Sequence, residues 1–113
     1  MKISSPVGIS PTASHKIAHP DGEEAVARVV EKTGNMFTLS GWAQTLPEKV
    51  AELAPNAFRF CHVNKTMVKN EKFLETLEKL GYKGIVVTID NAIGSRRRYA
   101  MKNDFTMPAH LKF

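Results

Sequence analysis

Ser40 and Thr88 each close a short apolar run, Met36 to Ser40 and Ile85 to Thr88, and a hydroxyl in that position serves either as a turn former or as a ligand contact. Two further runs, Val7 to Ser10 and Phe58 to Val63, end beside Pro11, Thr12 and Ala13 and beside Asn64. Arg96, Arg97 and Arg98 form the one dense cationic cluster, and a small anionic ligand would use such charge. His15 and His19 have the i, i+4 spacing that holds a metal on a helix, but no third ligand accompanies them. Cys61, the single cysteine, lies mid-run and reads as a small buried hydrophobe rather than a nucleophile.

Those residues need a scaffold, and the intervening segments supply one. His19 to Glu24 brings a proline and two acids to a helix start, where negative charge meets the positive pole of the helix. Ala25, Val26, Val29 and Val30 then predict one apolar face, with Gly34 as the stop. A second helix opens on Thr45-Leu46-Pro47-Glu48, in capping-box form, and buries Val50, Leu53 and Ala54 before Pro55. A third runs from about Asn70 with Phe73, Leu74, Leu77 and Leu80 as its stripe and Gly81 as its stop. Ile85 to Ile89 is β-branched throughout and predicts a parallel strand buried on both faces.

The cadence is βαβαβαβ, and in parallel α/β architectures ligand sites form at the carboxyl ends of the strands. The stretch from Asp90 to Phe113 has no clear period and reads as a long C-terminal loop. The 113 residues fall well short of the roughly 250 of a closed eight-stranded barrel. Four strands make about half of one, with two open edges, or else a small flavodoxin-like sheet reordered about a switch point.

Composition sets softer limits. A chain 42% hydrophobic and 24% charged is ordinary for a globular protein, and no run approaches the roughly 18 apolar residues of a membrane span. The net charge of +5 does not mark a nucleic-acid protein, because most lysines alternate with glutamates on helix faces, as from Glu71 to Lys79. One cysteine favours a reducing, intracellular compartment. The first residues lack a secretory apolar stretch, and His110-Leu111-Lys112-Phe113 is not a peroxisomal address.

Five segments carry a resemblance. Gly8-Ile9-Ser10-Pro11-Thr12-Ala13, Ala18-His19-Pro20-Asp21-Gly22-Glu23, Leu39-Ser40-Gly41-Trp42-Ala43, Gly81 to Asp90, and Arg96-Arg97 with Lys102-Asn103-Asp104-Phe105 together resemble the FMN-dependent 2-hydroxy-acid oxidase family, which includes glycolate oxidase. The likeness is collinear from about Pro6 to Leu111 and covers the first half of that family's (β/α)8 TIM barrel, strands one to four. Residues 1–113 are therefore expected to form a partial barrel domain.

The resemblance implies FMN as cofactor, oxidation of small (S)-2-hydroxy acids to 2-oxo acids with O2 as acceptor, and no membrane or nucleic-acid partner. It also implies a family often homo-oligomeric and peroxisomal, with cytoplasmic residence as the alternative. It assigns cofactor contacts to Pro11, Thr12, Ala13, Ser40, His62 and Thr88, and substrate contacts to Asn64 and Arg97. His62 stands where the family has a glutamine and Asn64 where it has a tyrosine. The loop Lys65 to Lys69 is about two residues short, Ser95 replaces a glycine, and Ala100 replaces an acid. The family's histidine base and phosphate-binding loops belong to the second half, so no catalytic residue is expected here and the isolated chain is expected to be inactive. The alternative is a non-catalytic truncated paralogue that acts as an interaction protein.

Overall fold

The computed structural model describes residues 3–64, 66–89 and 96–111. Four parallel strands, β1 (Gly8–Ile9), β2 (Met36–Leu39), β3 (Phe58–Val63) and β4 (Gly84–Val87), form one sheet in the order β1-β2-β3-β4. Helices α1 (Gly22–Thr33), α2 (Pro47–Leu53) and α3 (Glu71–Lys79) connect them, and a short α4 (Arg98–Lys102) follows. Strictly sequential order has no switch point, so the doubly wound alternative is excluded and the half-barrel reading holds.

Alternation along β3 sorts the two faces of the sheet. Arg59, Cys61 and Val63 are buried toward the helices, whereas Phe58, Phe60 and His62 point to the other, concave side. On the helix side Phe37, Leu39, Cys61 and Val63 meet Ala27 and Val30 of α1, Val50 and Ala54 at α2, and Leu77 of α3. On the concave side the rings of Phe58 and Phe60 meet edge to face at 4.9 Å. Gly84 lies beneath Phe60, and an added Cβ would stand 3.0 Å from that ring.

Helix boundaries follow local chemistry, with three departures. Gly34 (φ 70°) and Gly81 (φ 78°) take the left-handed conformation that ends α1 and follows α3, as expected. Asn70 caps α3 by accepting from the Phe73 amide at 3.2 Å. The capping box at α2 does not form. Leu46 occupies the cap, Pro47 starts the helix, and the Thr45 hydroxyl donates instead to Glu23 at 3.0 Å. A buried carboxylate needs donors more than a helix already begun by proline needs a cap.

On α1 the inward positions are Glu23, Ala27 and Val30, with Val26 packed partly against the core, and Val29 is 56% exposed, which removes it from the expected stripe. The spacing of four and three residues keeps that trio on one side of the helix. β4 is the third departure, since Ile85, Val86 and Val87 are each about 40% exposed. It is the margin of the sheet, and no described strand or helix covers its outer flank. The C-terminal stretch is not all loop, because α4 and a single turn at Ala109–Leu111 form within it.

Two buried ions brace opposite ends of the layer. At the carboxyl end of the strands Glu23 is 1% exposed, and it accepts from the His15 amide at 3.4 Å, the Gln44 amide at 3.3 Å and the Thr45 hydroxyl. At the opposite end Arg59 is 3% exposed and donates to the Ala54 carbonyl and, at 2.7 Å, to the Leu80 carbonyl. Those carbonyls close α2 and α3, so the guanidinium sits on the negative poles of two helices. Its carbon also lies 5.4 Å from the centre of the Tyr82 ring.

Cys61 supplies a pH prediction from the same core. Burial pushes its thiol from the ordinary 9.0 up to about 11, and burial likewise raises Tyr82 above the usual phenol value. The folded state thus favours the protonated thiol, so its contribution is whole below about pH 9 and fades as pH rises through about 11. The amount at stake is on the order of 2–3 kcal/mol. Urea midpoints for the chain should fall between pH 8 and pH 11, and the Cys61→Ala variant should fall less. A thiol reagent at pH 8 should label Cys61 slowly in the folded chain and quickly in urea.

Candidate functional site

The carboxyl ends of all four strands share one end of the sheet, and the loops that leave them are stitched together. The Ser14 amide donates to the Trp42 carbonyl at 3.3 Å, and Lys16 and Gln44 are joined by a 3.2 Å bond from the Lys16 amide to Gln44 Oε1. Gln44 also reaches forward, its Nε2 donating to the Leu111 carbonyl at 3.0 Å. Glu23 bridges the first and second loops from beneath, through His15, Gln44 and Thr45. The first loop is thereby held against the second without any apolar core of its own.

Ser40 follows β2 and is 7% exposed; its Oγ accepts from the Trp42 amide at 3.1 Å in a tight Ser turn, which leaves the hydroxyl hydrogen to be donated. Gly41 comes next, where an added Cβ would lie 2.7 Å from the His62 carbonyl oxygen. Only glycine lets the Ser40–Trp42 turn run this close to β3. His62 and Thr88 meet directly, Nε2 to Oγ1 at 2.6 Å. Ser40, His62 and Thr88 therefore follow one another across the sheet at a single end, with Ala13 joined to them through its neighbour Ser14 and Trp42.

The remaining expected residues behave differently. Pro11, Thr12 and Ala13 are exposed on the first loop, and Thr12 Oγ1 makes only a 3.5 Å bond to the Ser10 carbonyl. Thr12 and Ala13 line a hollow of about 540 Å³ that extends over Gly22, Ala25 and Val26 of α1 and does not include Ser40, His62 or Thr88. Asn64 turns its Oδ1 back onto its own loop, accepting from the Thr66 and Met67 amides at 2.9 and 3.0 Å. Its carboxamide is thus a turn anchor, with Nδ2 alone left to meet a ligand. Arg97 lies at the start of α4 and lines a different hollow, of about 720 Å³, with Arg96, Ala100, Met101, Asp104 and Phe105. The structure brings His62 and Thr88 into contact and Ser40 beside them, and it sets Arg97 apart.

Ser95, Asp90 and Lys65 lie outside the described residues. His19 Nδ1 accepts from the Asp21 amide at 3.2 Å, and no group of three metal-ligating side chains occurs among the described residues. No described helix is long and apolar enough to cross a membrane. Glu23 and Arg59 are the two residues that sequence reasoning left without their true role. A carboxylate two residues from a helix start reads as a surface acid, and only its place in line with Ala27 and Val30 hints at burial.

These features define half of a (β/α) barrel with polar groups gathered at the carboxyl rim. The family model for FMN-dependent dehydrogenases matches residues 1–113, and the chain belongs to that family. It is 40% identical over 111 residues to glycolate oxidase 1 of Zea mays and 39% identical to glycolate oxidase of Spinacia oleracea. In both cases the match takes in 97% of this chain and 30% of the relative. Among solved structures, a mandelate oxidase complex with (S)-2-phenylpropionate superposes with a TM-score of 0.84 at 25% identity, covering 95% of this chain and 32% of that one. A lactate oxidase of Pediococcus acidilactici gives 0.83 at 27% identity, covering 92% and 30%. The chain therefore spans about a third of the proteins it resembles.

Proposed function

We propose that residues 1–113 are one partial barrel domain and form the strand one to four side of a flavin site, in a protein that oxidises small (S)-2-hydroxy acids to 2-oxo acids with O2 as acceptor. The observation that carries this reading is the run of Ser40, His62 and Thr88 at one rim, with the Ser40 hydroxyl hydrogen unclaimed by any described acceptor and His62 and Thr88 bonded to each other. FMN, when bound, supplies the ring that accepts two electrons from the substrate. The residues present suit its polar edge, because hydroxyl donors can meet ring carbonyl and nitrogen acceptors and the exposed backbone of Pro11 to Ala13 offers further polar groups beside them.

Arg97 is the residue of this chain suited to a substrate carboxylate, since its fork can grip both oxygens. It stands at the N-cap of α4, immediately before Arg98. By the family resemblance the general base and the phosphate cradle would come from outside residues 1–113. The isolated 113-residue chain should then bind FMN weakly or not at all and produce no peroxide from glycolate. Copurifying flavin absorbance together with glycolate-dependent peroxide would overturn that statement.

A second reading, a non-catalytic paralogue that pairs with another protein, is favoured by one observation, the exposed apolar margin of β4. Sequencing the transcript past the codon for Phe113 separates the two. An in-frame continuation encoding a His-x-x-Arg segment supports the oxidase, and a stop codon supports the paralogue.

A further inference from the structure

His62 holds two nitrogens in unequal circumstances. Nε2 lies 2.6 Å from Thr88 Oγ1, whereas Nδ1 is buried and has no hydrogen-bond partner among the described residues. A neutral imidazole carries one N–H and one lone pair, so exactly two arrangements are open. With hydrogen on Nδ1, the ring would bury an N–H with no acceptor, and Nε2 would consume the Thr88 hydroxyl hydrogen. With hydrogen on Nε2, the buried atom is a bare lone pair and Thr88 Oγ1 accepts. Orphaned buried donors are the rarer and costlier of the two defects.

The geometry points to His62 as a positioning residue: its Nε2–H commits the Thr88 hydroxyl to donate its own hydrogen outward, to an acceptor atom of whatever occupies the rim. A hydroxyl that accepts a hydrogen bond is also polarised into a better donor. The placement is rigid on both sides. His62 and Val86 are register partners on the concave face, Thr88 stands two residues further along that face, and the Gly41 turn packs closely on the His62 backbone, where an added Cβ would lie 2.7 Å from its carbonyl oxygen. The ligand class is thus an acceptor-rich group, a ring carbonyl or an unprotonated ring nitrogen. Its identification as a flavin rests on the reading above, whereas the hydrogen-bond assignment does not.

Nitrogen-15 spectra of the 113-residue chain test the two parts separately. The expected result is a lone-pair-type resonance at Nδ1 and a protonated-type resonance at Nε2 of His62, with loss of that single tautomer in the Thr88→Val variant. A protonated Nδ1 in the wild-type chain overturns the inference whether or not any flavin binds. Titration with millimolar FMN should then shift the Thr88 methyl and His62 Nε2 signals. In the His62→Gln variant, whose side-chain amide supplies the same donor, the apparent affinity should stay near wild type. In His62→Phe, which has none, it should fall about five- to tenfold. Equal affinity in the phenylalanine variant overturns the positioning role. FMN that moves no signal in a chain with the Nε2–H tautomer agrees with an incomplete flavin cradle and leaves the His62 and Thr88 assignment supported.

Discussion

Replacement of Arg59 by alanine is expected to cost about 3 kcal/mol of stability, the largest effect among single substitutions in this chain. The side chain is 3% exposed and joins the last carbonyls of α2 and α3 to the first turn of β3. Truncation leaves the Leu80 carbonyl unpaired and the Ala54 carbonyl with the Ala57 amide alone, opens a cavity beside Tyr82, and removes a described side chain that links the two helix ends. Unpaired buried carbonyls and a vacated core site each contribute roughly 1–3 kcal/mol. Methionine at this position should recover a part of the loss, because the apolar stem still fills the space, although the guanidinium's hydrogen bonds to the helix ends stay lost. Urea unfolding followed by far-ultraviolet circular dichroism reads the order: wild type highest, methionine between, alanine lowest. If alanine shifted the midpoint by less than half a kcal/mol equivalent, the guanidinium would hold nothing together.

Glu23→Ala should cost nearly as much, about 2–3 kcal/mol, and its signature is local as well as global. The carboxylate takes hydrogens from His15, Gln44 and Thr45, three donors on the loops that follow β1 and β2. Without it two part-buried amides lose their acceptor, and each such loss is worth about 1 kcal/mol. Glutamine keeps one acceptor oxygen but places an N–H₂ where donors already point, so it should recover less than half. Amide exchange distinguishes this from simple loss of core packing: protection should fall first at His15 and Gln44, before any change at Cys61 or Val63 in the centre of β3. Uniform loss of protection along the sheet would count against a loop-bracing role.

The legible parts of the fold were those in which a local rule has no rival. Gly34 and Gly81 stop helices because a left-handed residue is needed there, and Asn70 caps α3 because no buried group competes for its side chain. The rest of α3 was nearly as plain, since Leu77 is buried in the core and Phe73 and Leu80 pack against it. Thr45 was misread for the opposite reason. Its sequence context fits a capping box, but a buried carboxylate from α1 claims its hydroxyl across a separation that no local pattern records.

β4 was misread because a β-branched run reports what a strand is suited to, and its actual cover depends on neighbours outside the run. Of the site, the strand-end positions Ser40 and Thr88 were legible as hydroxyls that close apolar runs. The bond from His62 to Thr88 was not, as it joins residues on separate strands. Nor was the inward turn of Asn64, whose short side chain finds amides of its own loop within reach. Arg97 shows the limit from the other side. A motif names a residue by type, and the structure places it in a hollow of its own with Arg96, Ala100 and Phe105, apart from Ser40, His62 and Thr88.

The strictly sequential order of the sheet has a consequence for how such a chain emerges during synthesis. Each strand finds its partner in the one translated immediately before it, so the nascent polypeptide can zip onto a template already at hand and never has to wait for a distant segment. The growing layer advances one margin at a time, in step with the ribosome. The newest strand is always one of the two raw margins, β1 being the other, and the exposure of Ile85, Val86 and Val87 makes β4 a place where a holding chaperone would be expected to grip.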